Sequence, residues 1–290
     1  MAKFRINKIY FIVSFEPDEE KFSKSIYKDI VERRCQQHGL QSEYSLVRNG
    51  QDLFRVLDCI EIEISENENI YPLIHFDCHG SDEGLTLFDS PLIITWGALS
   101  PKLKSINGSC KNNLILCFGA CFGGFATLNL LDVKGIESDK YRSFAFAVIG
   151  PISEIKHKEA QDGYEIFYDT LINERDINVA IRRLIEYSGL IKKFVSFTCD
   201  EIFEMMIDRF VREHLTEKDV KRLIRSSVSN YIRRFGRAPG RSFTKKQKEL
   251  TSGDFFNKTI EEWWMSYYWI DRWPENQKRF RKPKLELRHT

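Results

Sequence analysis

Short apolar runs, each separated from the next by a stretch long enough for a helix, set the architecture of this 290-residue chain. Ile9–Phe15, Leu73–Cys78, Leu114–Phe118 and Ser143–Ile149 are apolar or nearly so along their whole length, as strands covered on both faces must be. Ser42–Val47 reads as a further strand early in the chain, and Phe194–Thr198 as a sixth. Between them, Lys21–Gln37 places Phe22, Ile26, Ile30 and Val31 at helical spacing, and Gln51–Ile62 does the same with Leu53, Phe54, Leu57 and Ile60. Phe122–Leu131, Asp162–Leu171 and Asn178–Ser188 also read as helices. Strands joined by helix-sized segments require right-handed crossovers. The expected fold class is therefore α/β, a doubly wound and mostly parallel sheet flanked by helices.

Two segments interrupt that rhythm. Ser81–Thr95 surrounds two short β-like pieces with turn residues, which predicts a hairpin beside the main sheet. Thr95 is then placed to cap a short helix that starts at Trp96. From residue 199 onward the character changes to amphipathic helices rich in Arg and Lys. This predicts two parts: residues 1–198 as the α/β domain and 199–290 as a basic, aromatic-rich helical extension. Arg237–Ser242 reads as a loop within it. Glu261–Trp273 is dense in Trp and Tyr, a pattern that either stacks on nucleic acid or buries its rings by packing on the main domain, and packing is the expectation.

The net charge of +2 conceals a division. Residues 1–195 hold 23 Lys/Arg against 28 Asp/Glu, whereas residues 196–290 hold 21 against 14. A basic half suits an acidic partner or nucleic acid, but interspersed charges first describe a solvated helical face. Seven cysteines in no framework-like spacing, with no cleavable leader before Ile9–Phe15, point to free thiols in a reducing, cytoplasmic setting. No stretch has the roughly 18 apolar residues of a membrane span, so no membrane partner is expected.

The chemistry is carried by the ends of two apolar runs. One ends in His79-Gly80, the other leads into Ala120-Cys121-Phe122-Gly123-Gly124. If these strands are parallel neighbours, an imidazole and a thiol meet at one sheet edge, where α/β sheets bind ligands. A thiol reacts as the thiolate and needs an adjacent base or a favourable field. His79 supplies the base, and a helix beginning at Phe122 would supply the field. Gly80 leaves its backbone N–H open as an oxyanion donor, and the Cys121 N–H is a natural second donor.

Other residues in these runs have plainer explanations. Cys78, Cys110, Cys117 and Cys199 read as core packing. A metal site from Cys78, His79, Cys117 and Cys121 lacks the paired short loops of structural zinc, and adjacent strand residues point to opposite faces. No metal and no other cofactor is expected. His75 and Asp77 share a face with His79; Asp77 either orients a histidine or forms a satisfied polar pair within the sheet. His157 lies in Ser153–Glu159, which reads as a polar loop after the fifth strand, bordering the same edge.

At His79-Gly80 and Ala120-Cys121 the chain resembles the caspase-like cysteine peptidases, most closely the CHAT group. Leu85-Thr86-Leu87, Ile94–Leu99 and Phe167–Arg182 resemble further segments of that group, so the likeness spans residues 8–198. The resemblance implies a caspase-like doubly wound sheet and endopeptidase activity without a metal. It also implies catalytic roles for His79 and Cys121. It further implies an enzyme acting in prokaryotic stress or antiviral responses, held inactive until a regulatory protein partner signals. Caspases carry Gln before the Ala-Cys pair and often Arg after it. Gly119 and Phe122 stand there instead, so a preference for Asp is not implied. Asp77, Asp82, Glu83 and Glu154 are the substrate-pocket candidates and would suit a basic residue. The competing expectation is a catalytically silent scaffold that binds nucleic acid or a protein through its basic C-terminal region.

Overall fold

Every residue of Lys8–Ser14 (β1) is buried, and this strand lies inside the sheet with parallel neighbours on both sides. The computed structural model describes residues 5–90, 92–130, 142–187, 193–214 and 253–282. Contacts divide them into a first unit that ends at Cys199 and a second that begins at Asp200.

The first unit is α/β. After β1 come a continuous helical segment, Gln41–Leu46 (β2), a helix, and Pro72–Gly80 (β3). Gly84–Thr86 (β4), Ile93–Thr95 (β5), Ile115–Phe118 (β6), Ala147–Pro151 (β7) and Phe194–Thr198 (β8) complete the strands. The main sheet runs β2-β1-β3-β6-β7-β8, parallel except for β8, which pairs antiparallel with β7. β4 and β5 form the expected hairpin, with β4 antiparallel to the end of β3. Strand order reverses between β1 and β3, the position where such sheets open a crevice at the carboxyl ends of their strands.

Alternating side chains send two different cores to the two faces. On one face Tyr10, Ile12, Ile74, Phe76, Leu116 and Phe118 pack with Gly50–Glu66 (α3) and Trp96–Ser109 (α4). Thr95 caps α4 as the sequence predicts, accepting the Ala98 N–H at 3.2 Å, and Asn49 Oδ1 caps α3 in the same way, accepting the Asp52 N–H at 3.0 Å. The other face is aromatic. Phe11 stacks on His75 with centroids 4.3 Å apart, and Tyr164 and Tyr168 cover that imidazole. These tyrosines belong to His157–Glu174 (α6), which pairs with Ile177–Glu186 (α7). The helical segment after β1 packs on α6. It consists of Pro17–Ser25 (α1), a π-helical stretch Ile26–Glu32, and Arg33–His38 (α2).

Several boundaries move from their expected places. Phe125–Leu130 (α5) starts three residues later than predicted, and Leu131 lies outside the described residues. β7 starts at Ala147 and takes in Gly150-Pro151. Phe144 and Phe146 are buried without joining the ladder, which is why their sequence resembles a strand. His157 is not in a loop but opens α6.

In the second unit, helix Cys199–His214 (α8), which begins at the boundary, is followed by Gly253–Tyr267 (α9) and a 3-10 turn, Pro274–Lys278. Trp263, Trp264, Tyr267, Tyr268 and Trp269 are all buried. Phe203 meets Tyr267 and Tyr268, and Tyr268 donates from its hydroxyl to Asp200 at 2.9 Å. The rings are covered, which removes them as an open stacking surface. Arg237–Ser242 and the basic residues after Lys282 lie outside the described residues. No helix among the described residues is long and apolar enough to cross a membrane.

Candidate active site

Four loops meet at the carboxyl edge of the sheet, one after each of β1, β3, β6 and β7. β3 and β6 are adjacent and parallel, in register from Leu73↔Ile115 to Phe76↔Phe118. Their continuations therefore run side by side. The contact between them is tight: a Cβ on Gly80 would lie 2.6 Å from the Cys121 carbonyl oxygen and 2.9 Å from the Ala120 Cβ. Only glycine lets the His79 turn approach the Cys121 turn this closely.

Hydrogen bonding fixes the direction of the Gly80 N–H. Ser81 N–H donates to the Gly84 carbonyl at 2.9 Å, closing the β3–β4 turn. Bonded and non-bonded pairs alternate in an antiparallel ladder, so the next pair, Gly80↔Leu85, is non-bonded and the Gly80 N–H points away from β4. Phe76, an even number of residues back, turns its carbonyl to the Gly119 N–H on the β6 side, at 2.8 Å. By the same alternation the Gly80 N–H points to the β6 side of the strand, the side from which the Cys121 turn continues. In the Cys121 turn, bonds are made by the N–H groups of Gly119, Gly123 and Gly124, leaving the Cys121 N–H without a partner among the described residues. Phe122 sits in the left-handed region at φ 60°, a cost of about 1–2 kcal/mol for a residue with a Cβ. The turn is held by its surroundings: Gly124 N–H donates to the Pro151 carbonyl at 2.8 Å.

The field expected at Cys121 needs correction. The thiol lies in a turn four residues ahead of α5, not in the first turn of a helix, so a helix dipole does not act on it directly. Its polar neighbours are the Ile155 backbone N–H at 3.5 Å and carbonyl at 3.8 Å. Cys121 is half-buried, and Cys59 is the exposed cysteine; the other five are buried.

His79 is half-exposed and its Nε2 lies 3.1 Å from Glu19 Oε2. The other oxygen of the same carboxylate lies 3.3 Å from His157 Nε2. Phe15 contacts both imidazoles edge-on, and Phe22 stacks on His157. Imidazole and thiol are not hydrogen-bonded to each other here. Catalytic hydrogen bonds often close only once substrate is bound. Glu19 is a residue that the sequence motifs do not single out, although the acidic start of α1, directly after the first strand, is the available signal.

The remaining candidates separate by depth. Asp82 and Glu83 are exposed in the β3–β4 turn, which Trp96 pins by donating its indole N–H to the Asp82 carbonyl at 2.9 Å. Glu154 is exposed in the loop after β7. Asp77 is buried, with its carboxylate against Gly119, where a Cβ would lie 2.5 Å from Oδ1. It cannot line an open pocket; it acts as a charge behind the imidazoles. Burial pushes its carboxyl up to about 6, with Ser23, His157 and His79 pulling it back. Burial also holds His75 down to about 3, so this imidazole stays neutral, hydrogen-bonded through Nδ1 to the Tyr168 hydroxyl 2.8 Å away. Cys78 faces the α3–α4 core, on the opposite side from His75 and Asp77. Among the described residues no group of three or more His, Cys, Asp or Glu side chains could hold a metal ion.

No protein-family model matches the chain, and no curated protein matches it.

Proposed function

We propose that the chain is a cysteine endopeptidase of the caspase-like CHAT type, with Cys121 as nucleophile and His79 as general base. The observation that carries this reading is the convergence of two turns at the ends of adjacent parallel strands, so close that a Cβ on Gly80 would collide with Cys121. His79 takes the proton of the Cys121 thiol as the sulfur adds to the substrate carbonyl. The Gly80 and Cys121 N–H groups hold the resulting oxyanion. As the C–N bond breaks, His79 returns the proton to the leaving amine, and water then hydrolyses the thioester. Exposed Asp82, Glu83 and Glu154 favour a basic residue in the substrate, with Asp77 adding negative charge from below. Regulation by a protein partner in a prokaryotic stress or antiviral response follows from the resemblance, a cytoplasmic setting from the unpaired cysteines, and both are part of this proposal.

The thiol's hydrogen bonds to Ile155 rather than to His79 favour a second reading, a silent scaffold that binds a protein or nucleic acid through the basic C-terminal region. Profiling a peptide library with the wild type, Cys121→Ala and His79→Ala separates them. The peptidase reading expects cleavage by the wild type and a loss of about 10³-fold or more in each variant. Cleavage retained by Cys121→Ala overturns it. Steeply salt-dependent nucleic-acid binding without any cleavage would establish the scaffold.

A further inference from the structure

We infer that Glu19 is the positioning residue of the site, fixing the tautomer of His79, and that His157 holds Glu19 in place. The inference rests on the peptidase reading for its consequence in catalysis, but its geometry stands apart from it. Glu19 Oε2 lies 3.1 Å from His79 Nε2, and Oε1 lies 3.3 Å from His157 Nε2, so one carboxylate bridges two imidazoles. The three side chains come from three elements: the first turn of α1, the end of β3 and the first residue of α6.

A carboxylate accepts hydrogen bonds and does not donate them, so it selects the form of His79 with the proton on Nε2. That leaves Nδ1, which carries no hydrogen bond among the described residues, as the basic atom. The proton of the Cys121 thiol passes to Nδ1 and leaves from there to the departing amine; Nε2 keeps its proton throughout. The ring is also fixed in angle, since Phe15 stands edge-on to it with centroids 5.0 Å apart. His157 is fixed in turn by Phe15 at 5.5 Å and by stacking on Phe22 at 5.7 Å. Asp77, although nearer the sheet, is buried among Gly119 and His75, and no hydrogen bond joins it to His79.

Removing the orienting carboxylate of a buried serine-protease triad costs about 10⁴ in kcat. Glu19 keeps 35% of its side chain exposed. Water can replace part of its function, so Glu19→Ala is expected to lower kcat by about 10–100-fold, with KM within about twofold. Glu19→Gln presents a donor as well as an acceptor to Nε2, no longer selects one tautomer, and should lose about as much as Glu19→Ala, whereas Glu19→Asp keeps a carboxylate and should recover part of the loss. His157→Ala, which frees one end of the carboxylate, should cost a few-fold.

The test combines these kinetics with two readouts that require no peptide substrate. The first is the ¹⁵N shifts of the His79 ring, which report the tautomer. The second is the rate of Cys121 alkylation by iodoacetamide, mapped by peptide mass in a Cys59→Ser background. The expected result is an Nε2–H tautomer in the wild type, a mixture with slower Cys121 alkylation in both Glu19→Ala and Glu19→Gln, and partial recovery of both in Glu19→Asp. An unchanged tautomer and alkylation rate in folded Glu19→Ala overturns the inference, whether or not the chain cleaves peptides. A shifted tautomer in a chain that cleaves nothing supports the positioning role and defeats the peptidase reading instead.

Discussion

Gly80→Ala is expected to reduce cleavage by at least about 10²-fold while the chain still folds, because the new methyl group has nowhere to go. It would meet the Cys121 carbonyl at 2.6 Å and the Ala120 Cβ at 2.9 Å, both on or next to backbone rather than at the end of a flexible side chain. The neighbouring strands cannot absorb the displacement: β3 is hydrogen-bonded to β1, β6 and β4, so the two turns must move apart. A displacement of about 1 Å at reacting groups costs about 10² in rate, and an oxyanion donor out of place costs about 10²–10³. Stability should fall by only about 1–3 kcal/mol, as for other overpacked sites. Steady-state kinetics and thermal unfolding of the same sample measure both effects. Wild-type kcat in this variant would mean that the two turns do not form the reacting edge.

Asp77→Asn is expected to stabilise the protein by about 2–3 kcal/mol at pH 8 and to lose that advantage below about pH 4. The sign follows from the proton balance. Burial lifts the Asp77 carboxyl from 3.8 to about 6 in the folded chain, so between those values the folded state binds more protons than the unfolded one. Stability then falls as pH rises through this window. Above pH 6 the native state carries the full penalty of a buried carboxylate, about 1.4 kcal/mol for each tenfold tightening of its hold on the proton. Asparagine has the same shape without the charge. Urea unfolding of both proteins at pH 4 and pH 8 checks this. An equal loss of stability at both pH values would show that the carboxylate is held favourably instead.

What the sequence discloses here depends on how local the cause is. β1 and β6 are recognisable because strands buried on both faces must be apolar throughout, a demand written into every residue. The Thr95 cap is recognisable because it concerns a few consecutive residues. α4 runs on to Ser109, past the short helix expected, because Ile106 reaches the core beyond Leu103 and keeps the helix packed there. The π-helical stretch after α1 has no local signature. His79, Gly80 and Cys121 announce themselves as strand-end residues beside glycines. Glu19 does not, because its role exists only once β1 lies beside β3 and β7 delivers His157 to the same edge. The turn that places Cys121 ahead of α5 is hidden for a related reason. Gly123 and Gly124 pack against Phe118, Ile152 and Val195, and those tertiary contacts hold a turn where helical spacing alone suggests a first turn.

The central claim, that His79 activates Cys121 for attack on a peptide carbonyl, is tested most directly by mapping where a peptidyl electrophile attaches to the intact chain. Cys59 is the more exposed thiol and serves as the internal reference. A peptidyl chloromethyl ketone with a basic residue next to the reactive carbon should modify Cys121 at least about 10²-fold faster than Cys59, and His79→Ala should erase that preference. Faster modification of Cys59, or a preference for Cys121 that survives His79→Ala, would contradict the account.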